Sequence, residues 1–189
     1  MKYKHSKQGQ IAYPSNTLEC AKIIGKGRWV ANQSIRSQNS DYQIGDEQEN
    51  RKCDIRGVFA ELIAGHYFWT HQIKYQSAPL LSEDTQTVPD ITLLDNKDVP
   101  YCNIDVKSVK KKGIHFNVNC ANFRKNQLVD TYFFVQASAD YDNSKCIANY
   151  YVVGETEIQK WKVEKAGTGR AYFSKSISDH LSSLGIESI

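Results

Sequence analysis

Nothing in this sequence approaches the roughly 20 consecutive apolar residues that a bilayer-spanning helix requires, which argues against a membrane protein. The first ten residues, Met1 to Gln10, are too polar for a secretory signal. The expected compartment is therefore the cytoplasm, or the host cytoplasm if the gene is viral, with no membrane partner. Paired cysteines are missing as well. Cys20, Cys53, Cys102, Cys120 and Cys146 are odd in number and widely spaced, and no C-x-x-C occurs to suggest a zinc knuckle or a redox motif. They suit reduced cysteines acting as small apolar residues. The histidines form no H-E-x-x-H or HNH-type grouping, so no rival metal site stands out; His66 and His71 read as ordinary surface or core-edge residues. Internal repeats and low-complexity segments are absent. Net charge is small, +3, and alone would not point to nucleic acid, but its distribution is uneven: Lys107, Lys110, Lys111 and Lys112 fall within six positions.

What is present fits one globular domain. A chain of 189 residues, 40% hydrophobic and 24% charged, can bury a proper core and is short for two. The expected division is an N-terminal helix and polar arm over 1–53, a core over 54–137, and a strand and helix extension over 138–189. Ser15 to Ile24 reads as a short helix, capped by Ser15 or Asn16 and ended by Gly25. Residues 31–52 are almost wholly polar and read as a loop or arm. Asp54 suits the N-cap of a helix over 55–69, in which Ile55, Val58, Phe59, Leu62, Ile63 and Phe68 recur at helical spacing and Glu61 lies beside Leu62.

Strands are expected over 72–77, 88–94 and 101–109, the last two joined through the polar tetrad Asp95 to Asp98 as a hairpin. After Gly113, alternation of Ile114, Phe116 and Val118 with His115, Asn117 and Asn119 predicts a half-buried strand. A short helix over 121–130, a central strand over 131–137, a strand over 148–153, a helix over 155–161, a turn at 166–170, a short strand over 171–174 and a terminal helix over 178–184 follow. The fold class is α/β (α+β), with a central mixed β-sheet flanked by helices.

The chemistry concentrates between Val88 and Lys112. Because strand side chains alternate, Asp105 and Lys107 project from one face while Val106 enters the core. Asp90, on the neighbouring strand, can approach the same face. Two carboxylates converging beside open water positions suit Mg²⁺, with Mn²⁺ as a substitute, and a lysine there can act on a metal-bound water and on charge developing at phosphate. Glu61 could complete the group directly or through water. Asp95-Asn96-Lys97 also fits D-x-K, but it falls in a polar turn that would not hold its residues rigidly.

Pro89-Asp90, then Asp105-Val106-Lys107, with Glu61 on a preceding helix, resembles the PD-(D/E)xK nuclease superfamily, which includes most type II restriction endonucleases. The likeness covers the middle 85 or so residues, whose element order is similar to the α-β-β-β-α-β core of that superfamily. It implies a restriction-endonuclease-like core in which Asp90 and Asp105 bind metal, the Val106 carbonyl adds a ligand, Lys107 acts on the water and Glu61 is the auxiliary acid. The RecB-like branch is not supported: it carries Gln-x-x-x-Tyr, whereas Gln127 and Gln136 each precede a tyrosine, Tyr132 and Tyr141, by five positions.

Around this group, Lys110, Lys111 and Lys112 could meet flanking phosphates, and His115, Asn117 and Asn119 suit base edges or sugar-phosphate. Arg124 and Lys125 extend the basic surface. The expected function is a Mg²⁺-dependent DNA endonuclease of restriction, phage or repair type leaving a 5′-phosphate, with RNA open as a substrate and a homodimer open as the assembly. The alternative is a catalytically silent nuclease-fold protein that binds nucleic acid or a protein partner. A decayed site should have lost an acid or the lysine, and none is missing here.

Overall fold

The computed structural model describes residues 7–33, 47–80, 88–109, 115–120, 123, 128–137, 146–165 and 170–183. The elements run β1 (Lys7–Ala12), α1 (Thr17–Ala31), α2 (Glu47–Thr70), β2 (Tyr75–Ser77), β3 (Ile91–Leu94), β4 (Pro100–Val109), β5 (His115–Asn119), β6 (Thr131–Gln136), β7 (Ile147–Gly154), α3 (Glu155–Ile158), β8 (Lys162–Lys165), β9 (Ala171–Ser176) and α4 (Ile177–Ser183). Six strands form one sheet in the order β1-β7-β6-β4-β3-β2, and three form a second in the order β5-β9-β8. The larger sheet is mixed: β4 and β6 pair in parallel, and its other neighbours pair antiparallel. The fold is thus a mixed α/β arrangement with a central mixed sheet flanked by helices. Among the described residues no helix is long and apolar enough to cross a membrane.

The central strand β6 shows why the layers stack as they do. Its run Thr-Tyr-Phe-Phe-Val is buried at every position, so both faces must be covered. Phe133 and Val135 join Leu18 and Ala21 of α1, Val58, Ile63 and Phe68 of α2, and Ile104 and Val106 of β4 in one core. Tyr132 and Phe134 point the other way, into a second core with Phe116 and Val118 of β5, Tyr151 and Val153 of β7, and Trp161. Helices α1 and α2 therefore cover one face of the large sheet, and the small sheet helps to cover the other.

Several expectations are corrected. Helix α1 does not stop at Gly25 but continues to Ala31. Gly25 is buried, and a Cβ there would lie 2.7 Å from the Cα of Ile55, so this glycine permits the crossing of α1 and α2 rather than ending a helix. Asp54 is no N-cap: α2 begins at Glu47, and Asp54 is a buried residue of its interior. The polar text of 31–52 accordingly splits, with Ala31 in α1 and 47–52 in α2, while 34–46 lie outside the described residues. Strands β1 and β8 were not expected. β8 is exposed throughout and β1 at half its positions, both are largely polar, and pairing with β9 and β7, respectively, supplies what their side chains do not. The helix after β7 is one turn, Glu155–Ile158. Of the expected helix over 121–130 and the turn at 166–170, residues 121–122, 124–127 and 166–169 lie outside the described residues.

Candidate active site

The β3–β4 hairpin has the expected turn. Asp95 accepts the backbone N–H groups of Lys97 (2.8 Å) and Val99 (2.9 Å) on Oδ1, and Asp98 takes the left-handed conformation, φ 61°, that aspartate tolerates. The carboxylate of the second D-x-K is thus spent on its own turn. Along β4, Cys102, Ile104 and Val106 are buried, and Asp105 and Lys107 occupy the opposite face.

Strand β3 starts at Ile91, paired with Ile104. Extending that register by one residue sets Asp90 opposite Asp105. Asp90 is held from two sides: its Oδ2 accepts the Val106 N–H at 2.6 Å, and its backbone carbonyl accepts the Ala78 N–H at 2.9 Å. The carboxylate takes over a backbone partner at the place where β3 has not yet begun, which ties it to the strand that carries Asp105 and Lys107. The Lys107 ammonium lies 2.7 Å from both carboxylate oxygens of Asp105.

Glu61 comes from α2, and it is not alone. Arg28 of α1 donates from Nη1 to Oε1 at 2.7 Å and from Nη2 to Oε2 at 2.6 Å, a two-pronged ion pair. Both side chains are largely covered, at 12% and 13% exposure. Arg28 Nε also donates to the Leu80 carbonyl at 2.7 Å, so one guanidinium joins α1, α2 and the segment beyond β2. Sequence reading missed this residue. An arginine in the last turn of a helix is explained by the helix dipole alone, and its partner is 33 positions away.

The electrostatics follow from this crowding. Burial lifts the Asp90 carboxyl well above the usual carboxylate range; the charges of Asp105 and Glu61 push it further, and Lys107 offsets them only in part. For Lys107 burial works against the ammonium, yet Asp105, Asp90 and Glu61 together outweigh it and raise its pKa. Arg28 behaves likewise: burial opposes its charge, and the Glu61 hydrogen bond and the surrounding acids prevail. Tyr132, opposite Asp105 in the parallel pairing, has its phenol pushed up by burial and then by Asp105 and Glu155.

Two carboxylates forced together, one of them reluctant to ionise, are what a hard divalent cation relieves, so the donor set fits Mg²⁺ or Mn²⁺. A strand residue points its N–H and C=O to the same side; the Val106 carbonyl therefore faces the side from which Asp90 approaches. No group of three or more His, Cys, Asp or Glu side chains is arranged to hold a metal among the described residues. Asp90 and Asp105 meet at the start of the hairpin, and the Glu61 carboxylate is engaged by Arg28.

The fold thus brings Asp90, Asp105 and Lys107 together, with Glu61 near enough for its charge to act on Asp90 and Lys107. His115 and Asn117 are exposed and Asn119 is half-buried, but they lie on β5, which pairs with β9 in the second sheet and not with the strand bearing Asp105. Lys110, Lys111, Lys112, Arg124 and Lys125 lie outside the described residues. No family model, no curated protein and no solved structure matches this chain.

Proposed function

We propose that this chain is a Mg²⁺-dependent DNA endonuclease with a restriction-endonuclease-like core of the PD-(D/E)xK kind, acting in the cytoplasm of the cell or host that contains it. The observation that carries this reading is the 2.6 Å bond from the Val106 N–H to Asp90, which fixes one acid against the strand that presents Asp105 and Lys107. Asp90, Asp105 and the Val106 carbonyl would hold Mg²⁺, with Mn²⁺ as a substitute. When bound, such a cation lowers the pKa of a water and offsets charge on a phosphoryl group.

The chain's own groups supply the rest. Lys107, beside these acids, would orient or deprotonate a water and stabilise charge developing on phosphate. Asp105 holds that ammonium in place. Lys110, Lys111, Lys112, Arg124 and Lys125 are proposed to contact phosphates, and His115, Asn117 and Asn119 the bases or sugars of flanking DNA.

The test is incubation of plasmid and oligonucleotide DNA with Mg²⁺, Mn²⁺ or EDTA, comparing the wild type with Asp105→Ala and Lys107→Ala and checking their folding by circular dichroism. Cleavage with either cation, none with EDTA, and a loss of on the order of 100-fold or more in each variant are expected. A wild type inactive on every substrate, or variants that cut as fast as it does, would refute the proposal.

A further inference from the structure

The fork from Arg28 raises a question that the nuclease reading leaves open: whether Glu61 is a ligand to the cation. We infer that Glu61 is held out of the coordination sphere by Arg28, so that the centre takes a single divalent cation on Asp90 and Asp105. This rests on the nuclease reading and deepens it. Arg28 is then a positioning residue, acting through Glu61 and through the Leu80 carbonyl.

Three observations carry it. Both Glu61 oxygens are taken, at 2.7 and 2.6 Å, by a guanidinium whose Nε is tied separately to Leu80, so the fork cannot turn aside without breaking three bonds. Both partners are about one-eighth exposed, where parting them would leave two charges poorly solvated. Asp90, in contrast, has its Oδ2 on the Val106 backbone N–H rather than on a cationic side chain. A neutral Arg28–Glu61 pair adds no net charge to the centre, whereas a free Glu61 would be a third carboxylate capable of drawing a second cation.

The experiment is titration of Mn²⁺ into the cation-free full-length protein without DNA. Heat and the electron paramagnetic resonance signal of free Mn²⁺ both report binding without any need for catalysis. The double variant Arg28→Met/Glu61→Gln removes the pair while keeping its bulk. Wild type is expected to bind one Mn²⁺ per chain; the double variant should bind one with a Kd within about threefold of it, while Asp90→Asn costs about tenfold or more. Glu61→Gln alone, which can still accept from Arg28, should cost less than Asp90→Asn, and it carries the test should the double variant fail to fold.

Two Mn²⁺ per chain in the wild type, or a loss in the double variant as large as that in Asp90→Asn, would overturn the inference and leave the nuclease reading standing. A wild type that binds no Mn²⁺ would overturn both.

Discussion

Asp90 is held beside Asp105 at a cost to the fold. Burial and the neighbouring Asp105 and Glu61 charges raise its pKa from the ordinary value of 3.8, so ionising it costs more in the folded protein than in the unfolded chain. The sign follows: this group's stabilisation is complete below its unfolded pKa and is lost as pH rises through the elevated folded one. In EDTA, Asp90→Asn, whose amide oxygen can still accept the Val106 N–H, is therefore expected to be more stable than wild type at neutral pH. The gap should narrow as the solution is acidified toward pH 4, and urea midpoints across that range would check it. A gap that does not change with pH would contradict the electrostatic origin. At this scale the sequence was informative where periodicity governs. The alternation of Asn-Ile-Asp-Val-Lys places Asp105 and Lys107 on one face. The posture of Asp90 was not legible, since it depends on β3 starting at Ile91 rather than at Val88, which leaves Asp90 outside the strand with its side chain on the Val106 N–H. Arg28 was invisible for a different reason: its role exists only once two helices and the Leu80 backbone are packed together.

The crossing of α1 and α2 holds Arg28 against Glu61, and at Gly25 the backbones of the two helices come close. Alanine normally improves a helix by about 1 kcal/mol over glycine. Here its Cβ would meet the Ile55 Cα at 2.7 Å, and backbone cannot swing away as a side-chain tip can. Gly25→Ala is thus predicted to destabilise the protein by about 1–3 kcal/mol, the usual cost of overpacking, as read by urea denaturation. A stabilised variant would show that the helices can separate freely. Glycine read as a stop and glycine read as a contact look the same in a linear sequence; only the partner helix distinguishes them. Asp54 shows the same ambiguity, since a residue type favoured at N-caps is here in a helix interior. The hairpin was legible because its turn chemistry, centred on Asp95, is local and agrees with the apolar runs on either side.

Across the whole molecule, two cores share the large sheet, and the second is the more vulnerable to acid. His180 of α4 is 1% exposed, packs edge-on to Phe116 at 5.5 Å and to Trp161 at 6.3 Å, and its ring nitrogens have no hydrogen-bond partner among the described residues. Burial and then Lys175 lower its pKa from 6.5, and Glu157, paired with Lys175, offsets this only in part. A histidine kept neutral by the fold stabilises it above pH 6.5, and that contribution fades as pH falls through the lower folded value. Loss of the native tryptophan fluorescence on acidification below pH 6.5 is expected, and His180→Phe should flatten the change. An unchanged profile would acquit His180. This second layer was the least legible part of the chain. β5 was recognised from its alternation, yet its partner β9 follows more than 50 positions later, and no local pattern announces a pairing of that range.

The central claim is that Asp90, Asp105 and Lys107 form a cation-dependent phosphodiesterase centre. Cleavage of DNA by Lys107→Ala in Mg²⁺, measured beside its Mn²⁺ and DNA binding, tests this most directly because both carboxylates remain. Retained cation and DNA binding with cleavage slowed by about 100-fold or more is the predicted result. Cleavage at the wild-type rate, with the same products and the same sensitivity to EDTA, would contradict it.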